Sequence, residues 1–238
     1  MDQVHNNERI IGGYKGRLLV LISLATMSGN GAQLIIPPLL PTIISDLSIS
    51  PTVAGTGLSI MWGCTALFHY PGGRLSDAMS RKSLLIPSVA IMLLGLSILV
   101  LLQYSIAFFI GIIVLGIGAG LYTPVAFAQL SDLYIERRGL AFGINTASLN
   151  LGGFFGAALA VVSLQFFSWR DAFIPVILIL FIVLALFHYQ SNEFYNLSYP
   201  KFDIKETLSR LTQERDLRRI LFIAATYGFV WQGILSFY

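Results

Sequence analysis

Seven long apolar runs, separated by shorter polar segments, dominate the chain. They cover residues 18–40, 52–70, 83–102, 106–130, 141–165, 172–189 and 220–238. Most have the roughly 20 residues that a helix needs to cross about 30 Å of hydrocarbon. They lack the alternation of apolar and polar positions that is typical of membrane-barrel strands. Because only helices and closed barrels satisfy their own backbone in a bilayer, the pattern predicts an all-α polytopic membrane protein.

Basic residues lie in every second gap between these runs, and Arg170 is the one exception. The others are Arg9, Lys15, Arg17, Arg74, Arg81, Lys82, Arg137, Arg138, Lys201, Lys205, Arg210, Arg215, Arg218 and Arg219. The positive-inside rule therefore predicts a cytoplasmic N-terminus and a multi-pass protein of the cytoplasmic membrane. The formal net charge of +3 is explained by this orientation. It indicates the lipid bilayer as a partner and does not indicate nucleic acid.

Composition and the available reactive side chains limit the functions that this membrane protein can have. The chain is 55% hydrophobic and 11% charged, against a norm of about 25% charged residues in soluble domains. The lone Cys64 excludes an internal disulfide, and His5, His69 and His188 form no pair with metal-ligand spacing. No segment resembles a phosphate-binding loop. We therefore expect no metal, no cofactor and no enzymatic activity, and a membrane-embedded enzyme is a weaker alternative.

The polar segments divide the chain into three parts. Residues 1–189 hold six predicted spans, 190–219 form a cytoplasmic linker, and 220–238 start a second bundle. In the linker Ile204, Leu208 and Leu211 recur at helical spacing, which fits an amphipathic helix on the membrane surface or a solvated linker. The last run has no polar flank, so we predict a truncated seventh helix and a missing C-terminal half of the same protein.

Three motifs between the spans resemble those of the major facilitator superfamily. Between spans 2 and 3, the family pattern Gly-x-x-x-Asp-(Arg/Lys)-x-Gly-(Arg/Lys)-(Arg/Lys) is matched by Gly73, Asp77, Arg81 and Lys82, with departures at Ala78 and Ser80. Between spans 4 and 5, Asp132 precedes Arg137, Arg138 and Gly139 as in the family's acidic-basic connection. Trp169-Arg170-Asp171-Ala172-Phe173 resembles the family's start of helix 6. The resemblance covers residues 15–238 and implies a six-helix N-terminal bundle.

The charged motifs suggest a conformational latch. A carboxylate at a helix end beside fixed cations can pair with a neighbouring helix in one conformation and lose that pairing in another. The resemblance implies this role for the set Gly73, Asp77, Arg81, Lys82, Asp132, Arg137 and Arg138. The alternative is a charged turn that only sets topology.

Neutral polar side chains inside the spans are the candidate substrate contacts. On span 1, Ser23, Thr26, Asn30, Gln33 and Pro37 fall within an arc of roughly 80°. Polar groups in a span face protein or a water-filled cavity. With the family's helices 1, 4 and 5 at the central cavity, the candidates are Thr26, Asn30, Gln33, Tyr122 and Asn150. Interhelical hydrogen bonding is the alternative.

The predicted function is secondary active or facilitative transport of a small polar or anionic organic solute by alternating access. No acid lies deep within a span, so no proton-carrying carboxylate is visible. The helix 5 glycine pattern of drug antiporters is interrupted at Ala157, Ala160 and Val161. A non-transporting sensor or receptor on the same fold is the main alternative.

Overall fold

The computed structural model describes Ile10 and residues 12–191, 194–196 and 215–237. Every regular element within these residues is helical, so the predicted all-α class is confirmed. Residues Met1–Tyr199 form one compact unit and Pro200–Tyr238 a second. The predicted surface helix at Ile204, Leu208 and Leu211 lies outside the described residues. The helices are α1 Gly13–Leu47, α2 Pro51–Ala78, α3 Arg81–Leu101, α4 Ser105–Leu133, α5 Arg138–Phe166, a 3₁₀ helix Trp169–Phe173, α6 Ile174–Gln190 and α7 Arg215–Phe237.

Five described helical stretches are long and apolar enough to cross a membrane. They are α1, α3, α4, α5 and the stretch Trp169–Gln190 that ends in α6. Helix α2 has 28 residues, but glycines and polar side chains along its length lower its apolarity. Such a composition suits a helix with one side on protein or water. Each predicted run is therefore helical where described, although α2 and α7 fall outside the strongly apolar group.

Serine caps fix the start of two of these helices. The Ser50 hydroxyl accepts a hydrogen bond from the Val53 N–H at 3.2 Å, and Pro51 opens α2. The Ser80 hydroxyl accepts from the Ser83 N–H at 3.3 Å at the start of α3. Each cap satisfies an amide that has no partner inside its own helix. The turns between spans are thereby short and fixed.

One end of the first unit collects the basic residues. Arg81 at the start of α3 lies 2.8 Å from Asp132 at the end of α4. Just beyond α4, the Tyr134 hydroxyl donates to the Ile10 carbonyl at 2.9 Å, which brings the start of α1 to the same end. We call this end the basic face. Among its cations are Arg17, Arg74, Arg81, Lys82, Arg137 and Arg138.

The opposite end joins α1, α4 and the 3₁₀ helix through a different set of contacts. The Asp46 carboxylate accepts from the Arg170 guanidinium at 2.7 Å and from the Trp169 indole N–H at 3.0 Å. The Ser105 hydroxyl donates to the Leu47 carbonyl at 3.1 Å. Arg170, the exception in the charge pattern, is therefore held in an ion pair.

Helix α4 packs between α2 and α3. Glycines on two of its sides let the backbones of these neighbours approach closely. A Cβ on Gly116 or on Gly120 would lie 2.5 Å from a backbone carbonyl oxygen of α2. A Cβ on Gly118 would lie 2.7 Å from the backbone nitrogen of Met92 in α3. Gly116 and Gly120, one turn apart, thus form a small-residue face that contacts α2 closely. Helices in lipid have no hydrophobic driving force for association, so close packing of this kind stabilises their contact instead.

Helix α1 occupies the middle of the unit and packs on α4, α5 and α6. Its contact with α5 is the closest approach at a described glycine. A Cβ on Gly152 would lie 2.1 Å from the Met27 carbonyl oxygen, and one on Gly156 would lie 2.6 Å from the Gly31 carbonyl oxygen. Any larger side chain at these positions would push the two helices apart.

Candidate functional site

Thr26 and Tyr122, two of the predicted substrate contacts, are buried where three helices meet. The Thr26 hydroxyl donates to Asn145 Oδ1 of α5 at 2.8 Å. The Tyr122 hydroxyl of α4 donates to the Ile22 carbonyl of α1 at 2.7 Å. Asn145 is only 1% exposed. These bonds join α1, α4 and α5, which is the interhelical role that the sequence left open.

Gln33, a third predicted contact, ties α1 to α2. Its Nε2 donates to the Thr65 hydroxyl at 2.9 Å, and that hydroxyl donates to the Met61 carbonyl at 3.0 Å. Both Gln33 and Thr65 are buried. The assignment of Thr26, Gln33 and Tyr122 to substrate binding stays a prediction, but in this structure their polar groups bond to other helices.

Asn30 belongs to a partly exposed strip of α1. Asn30, Leu34 and Pro37 recur at helical spacing and are half-buried. Asn30 Nδ2 donates to the Leu149 carbonyl of α5 at 2.8 Å. A Cβ on Gly153 would lie 2.9 Å from Leu34 Cδ1, so the same glycine-bearing side of α5 borders the strip.

Asn150 continues this strip on α5. It is exposed, and its Nδ2 donates to the Thr146 carbonyl of its own helix at 3.0 Å. Thr146, Asn150 and Gly153 share one face of α5 by their spacing. Exposed apolar side chains, Leu151 and Phe155, occupy the other flank, where contact with lipid suits them. We call this partly polar side the open strip, and its members are Asn30, Leu34, Pro37, Thr146, Asn150 and Gly153.

On the basic face, the structure joins the first two sequence motifs. Arg81 Nε donates to Asp132 Oδ2 at 2.8 Å. The Nη1 of the same guanidinium donates to the Ser76 hydroxyl at 2.5 Å and to the Ser76 carbonyl. The side chains of Arg81 and Asp132 are 20% and 56% exposed, and exposed pairs contribute only about 0–1 kcal/mol. A pair this weak can break and reform during a conformational cycle.

The other predicted latch residues are distributed around this pair. Asp77 is exposed and makes no hydrogen bond or ion pair with any residue that the structure describes. Gly73 faces open space, since a Cβ there would meet nothing within 4 Å. Arg137 is the N-cap residue of α5, and Arg138 Nη2 donates to the Ser131 carbonyl at 3.3 Å. Lys82 points away from the pair, towards the end of α6.

The family model for the major facilitator superfamily matches residues 19–238. The chain belongs to this superfamily. It is therefore a membrane protein of a transporter family, and the resemblance inferred from the three motifs is confirmed.

Several curated members of the superfamily are similar to the chain. It is 28% identical over 158 residues to the uncharacterized MFS-type transporter YwfA of Bacillus subtilis, covering 66% of this chain and 38% of the relative. It is also 28% identical over 163 residues to the chloramphenicol resistance protein CraA of Acinetobacter baumannii, covering 68% and 38%. The chain thus spans about two fifths of the length of these relatives.

Solved structures share the fold at lower identity. A bacterial homolog of the human lysosomal transporter Spinster, in an inward-facing and unoccupied conformation, superposes with a TM-score of 0.68 at 20% identity, covering 95% of this chain and 55% of that one. A peptide transporter POT in complex with sulfate gives 0.69 at 17% identity, covering 94% and 47%. At these identities the likeness shows the fold alone.

Three residues whose side chains bond to another helix were not predicted from the sequence. Asn145 shares a stripe of span 5 with Ser148 and Gly152 by helical spacing, but its partner Thr26 comes from 119 positions earlier. Thr65 had no signal beyond being polar in span 2. Asp46 could have been found, since Arg170 is the one cation in an odd-numbered gap and an acid near the same membrane face would neutralise it.

Proposed function

We propose that this superfamily member forms one half of a secondary active or facilitative transporter for a small polar or anionic organic solute. The observation that carries the proposal is the open strip. It presents amide and hydroxyl groups from α1 and α5 without a formal charge. Transporters of this kind bind substrate near mid-membrane between two bundles. An anionic solute would then take its countercharge from the C-terminal half.

Alternating access also requires each half to move as a body. Backbone-to-backbone contact at Gly152 and Gly156 holds α1 on α5, and the bonds of Thr26, Gln33 and Tyr122 add α2 and α4. Well-packed interiors of this sort transmit a displacement instead of absorbing it. The buried polar residues then support the bundle, while Asn30 and Asn150 face the solute.

The basic face would lie in the cytoplasm, with the N-terminus on the same side and the protein spanning the cytoplasmic membrane. The supporting observation is that cations from the start of α1 and from the α2–α3 and α4–α5 connections come together at one end. Only Arg170 lies at the other end of the first unit among its described cations, and Asp46 offsets it. The proposal includes no cofactor and no nucleic acid.

Asp77 is the group through which the first half would latch onto the second. Replacing Asp77 with asparagine is expected to change the ratio of inward- to outward-facing molecules about fivefold, the equivalent of one weak charged contact. Because Asp77 has no partner among the described residues, the thermal stability of the protein should not change. Both quantities can be measured on the intact transporter, by spin-label distances across the bundles and by thermal unfolding.

Asp132→Asn is the matched comparison for the latch. It removes the carboxylate that Arg81 binds inside the first half, so a small loss of thermal stability should accompany any change in the population ratio. If Asp77→Asn leaves the ratio unchanged, Asp77 only helps to set topology and the latch assignment is wrong.

Uptake into proteoliposomes tests the proposed function. We expect the intact protein to transport at least one member of a panel of glucose, lactate, alanyl-alanine and chloramphenicol, the last included because one relative is named a chloramphenicol resistance protein. Asn150→Leu should raise the KM about fivefold by removing one neutral hydrogen bond. Leu151→Ala, on the lipid-facing flank of the same helix, should leave the KM unchanged.

The uptake assay, together with thermal unfolding in the presence of each solute, separates the alternatives. A sensor or receptor would be stabilised against heat by one of these solutes and would move none of them. A membrane-embedded enzyme would return a chemically altered solute. Equal KM values for the Asn150→Leu variant and the parent would remove the open strip from substrate recognition even if transport is observed.

A further inference from the structure

The surroundings of Lys82 differ from those of the other predicted latch residues. Lys82 is only 8% exposed, and a lysine is almost never buried unless it is paired. Lys82 Nζ donates to the carbonyls of His188 and Ser191, each at 2.9 Å. The ammonium also lies 5.2 Å from the centre of the Tyr195 ring, within the range of a cation–π contact.

The chemistry at this position suits lysine. Helix α6 ends at Gln190, and the last carbonyls of a helix have no amide partner within it. These carbonyls form the negative end of the helix dipole, which attracts a cation. A compact ammonium with three donors can reach two converging carbonyls, whereas the guanidinium of arginine presents its donors in one plane. Arg81, by contrast, binds a carboxylate.

The residues that follow α6 are fastened to the start of α3 by further bonds. The Asn196 N–H donates to the Ser83 hydroxyl at 2.9 Å, and the Ser80 N–H donates to the Asn196 carbonyl at 3.4 Å. The Tyr195 hydroxyl lies 2.8 Å from His188 Nδ1. The described residues after α6 therefore cross the N-terminus of α3, with Lys82 beneath them.

We propose that Lys82 is a positioning residue that anchors the chain leaving α6, and that it is not part of the latch. Two adjacent cations then have separate tasks: Arg81 holds the end of α4, and Lys82 holds the end of α6 and the described residues 194–196. The connection towards residues 215–237 would start from a fixed point on the first unit. This role goes beyond the proposed transport, because it is the same for any solute.

Hydrogen–deuterium exchange on the intact protein in lipid nanodiscs tests the anchor. Lys82→Met keeps the apolar stem but removes all three donors. We expect the amides of Ser191 and of residues 194–196 to exchange about fivefold faster in this variant, because opening of these residues no longer requires breaking their contacts with the ammonium. Tyr195→Leu, which removes the ring above the ammonium and the bond to His188, should raise the same exchange by a smaller factor.

Arg17→Met is the matched control. Arg17 is an exposed cation of the basic face, and its Nε donates to the Gly13 carbonyl of its own helix at 3.3 Å. This control should leave exchange at Ser191 and at residues 194–196 at the parent rate. Exchange at the amides of α5 between residues 145 and 156 reports whether the bundle is intact. If Lys82→Met unfolds the bundle, the Tyr195→Leu variant tests the anchor in its place. Parent exchange rates at Ser191 and at residues 194–196 in both test variants, or an equal rise in Arg17→Met, would overturn the anchor.

Discussion

Replacing Gly152 with alanine is expected to lower the free energy of unfolding by about 3 kcal/mol, near the upper end of the usual range for overpacking. The new Cβ would lie 2.1 Å from the carbonyl oxygen of Met27, a distance that no rotamer change can relieve because both atoms are backbone-fixed. Helices α1 and α5 would have to separate by a substantial part of an ångström. The contact at Gly156, one turn further along the same interface, would loosen with it.

Gly143→Ala is the matched control for this prediction. Gly143 lies on the same helix, but a Cβ there would meet nothing within 4 Å. Alanine is also a better helix former than glycine by about 1 kcal/mol, so this variant should be as stable as the parent or slightly more stable. Thermal unfolding of the purified intact protein measures both. Equal stability of the Gly152→Ala and Gly143→Ala variants would contradict the close α1–α5 contact.

The positions of the described helices could be predicted from the sequence because hydropathy is a local property. A span needs its own apolar residues, whatever the rest of the chain does. The face of Gly116 and Gly120 was predictable for the same reason, since small residues one turn apart permit close approach whatever the neighbour is. The identity of that neighbour, α2, came only from the fold.

The roles of individual polar residues could not be assigned in this way. Helical periodicity correctly places Thr26, Asn30 and Gln33 on one side of α1, but this side is shared between two environments. Asn145 and Thr65, from distant parts of the chain, cover Thr26 and Gln33. Asn30 lies at the uncovered part of the same arc. Periodicity gives the direction of a side chain and leaves its partner undetermined.

The partners of two adjacent cations, Arg81 and Lys82, were also not predictable from the sequence. Arg81 and Lys82 are adjacent and alike in charge, so a sequence motif treats them as a unit. At the N-terminus of α3 successive side chains point about 100° apart, which directs one cation to the end of α4 and the other to the end of α6. The distinction depends on which helix ends lie on each side of α3.

Introducing a carboxylate at Asn145 or at Asn150 should have opposite consequences, although both positions are on α5 and the substitution is the same. Asn145→Asp would bury a charge among α1, α4 and α5, and we expect a loss of about 2–3 kcal/mol, as for an acid placed within a membrane helix. The Thr26 hydroxyl can still donate to the new carboxylate, but a neutral hydroxyl cannot neutralise the negative charge. Asn150→Asp places the carboxylate on the open strip, where water in a cavity would solvate it, so stability should change little.

This pair of variants also tests whether the open strip faces a water-filled cavity. The two positions are five residues apart, or about 7.5 Å along the helix axis, so their depth in the bilayer differs modestly. Thermal unfolding of the intact protein in nanodiscs gives the comparison directly. If Asn150→Asp is as destabilising as Asn145→Asp, then Asn150 faces lipid or a dry interface, and the strip cannot be a solute-binding wall. A stable Asn150→Asp variant beside a destabilised Asn145→Asp variant would instead separate the supporting polar residues from the solute-facing ones on a single helix.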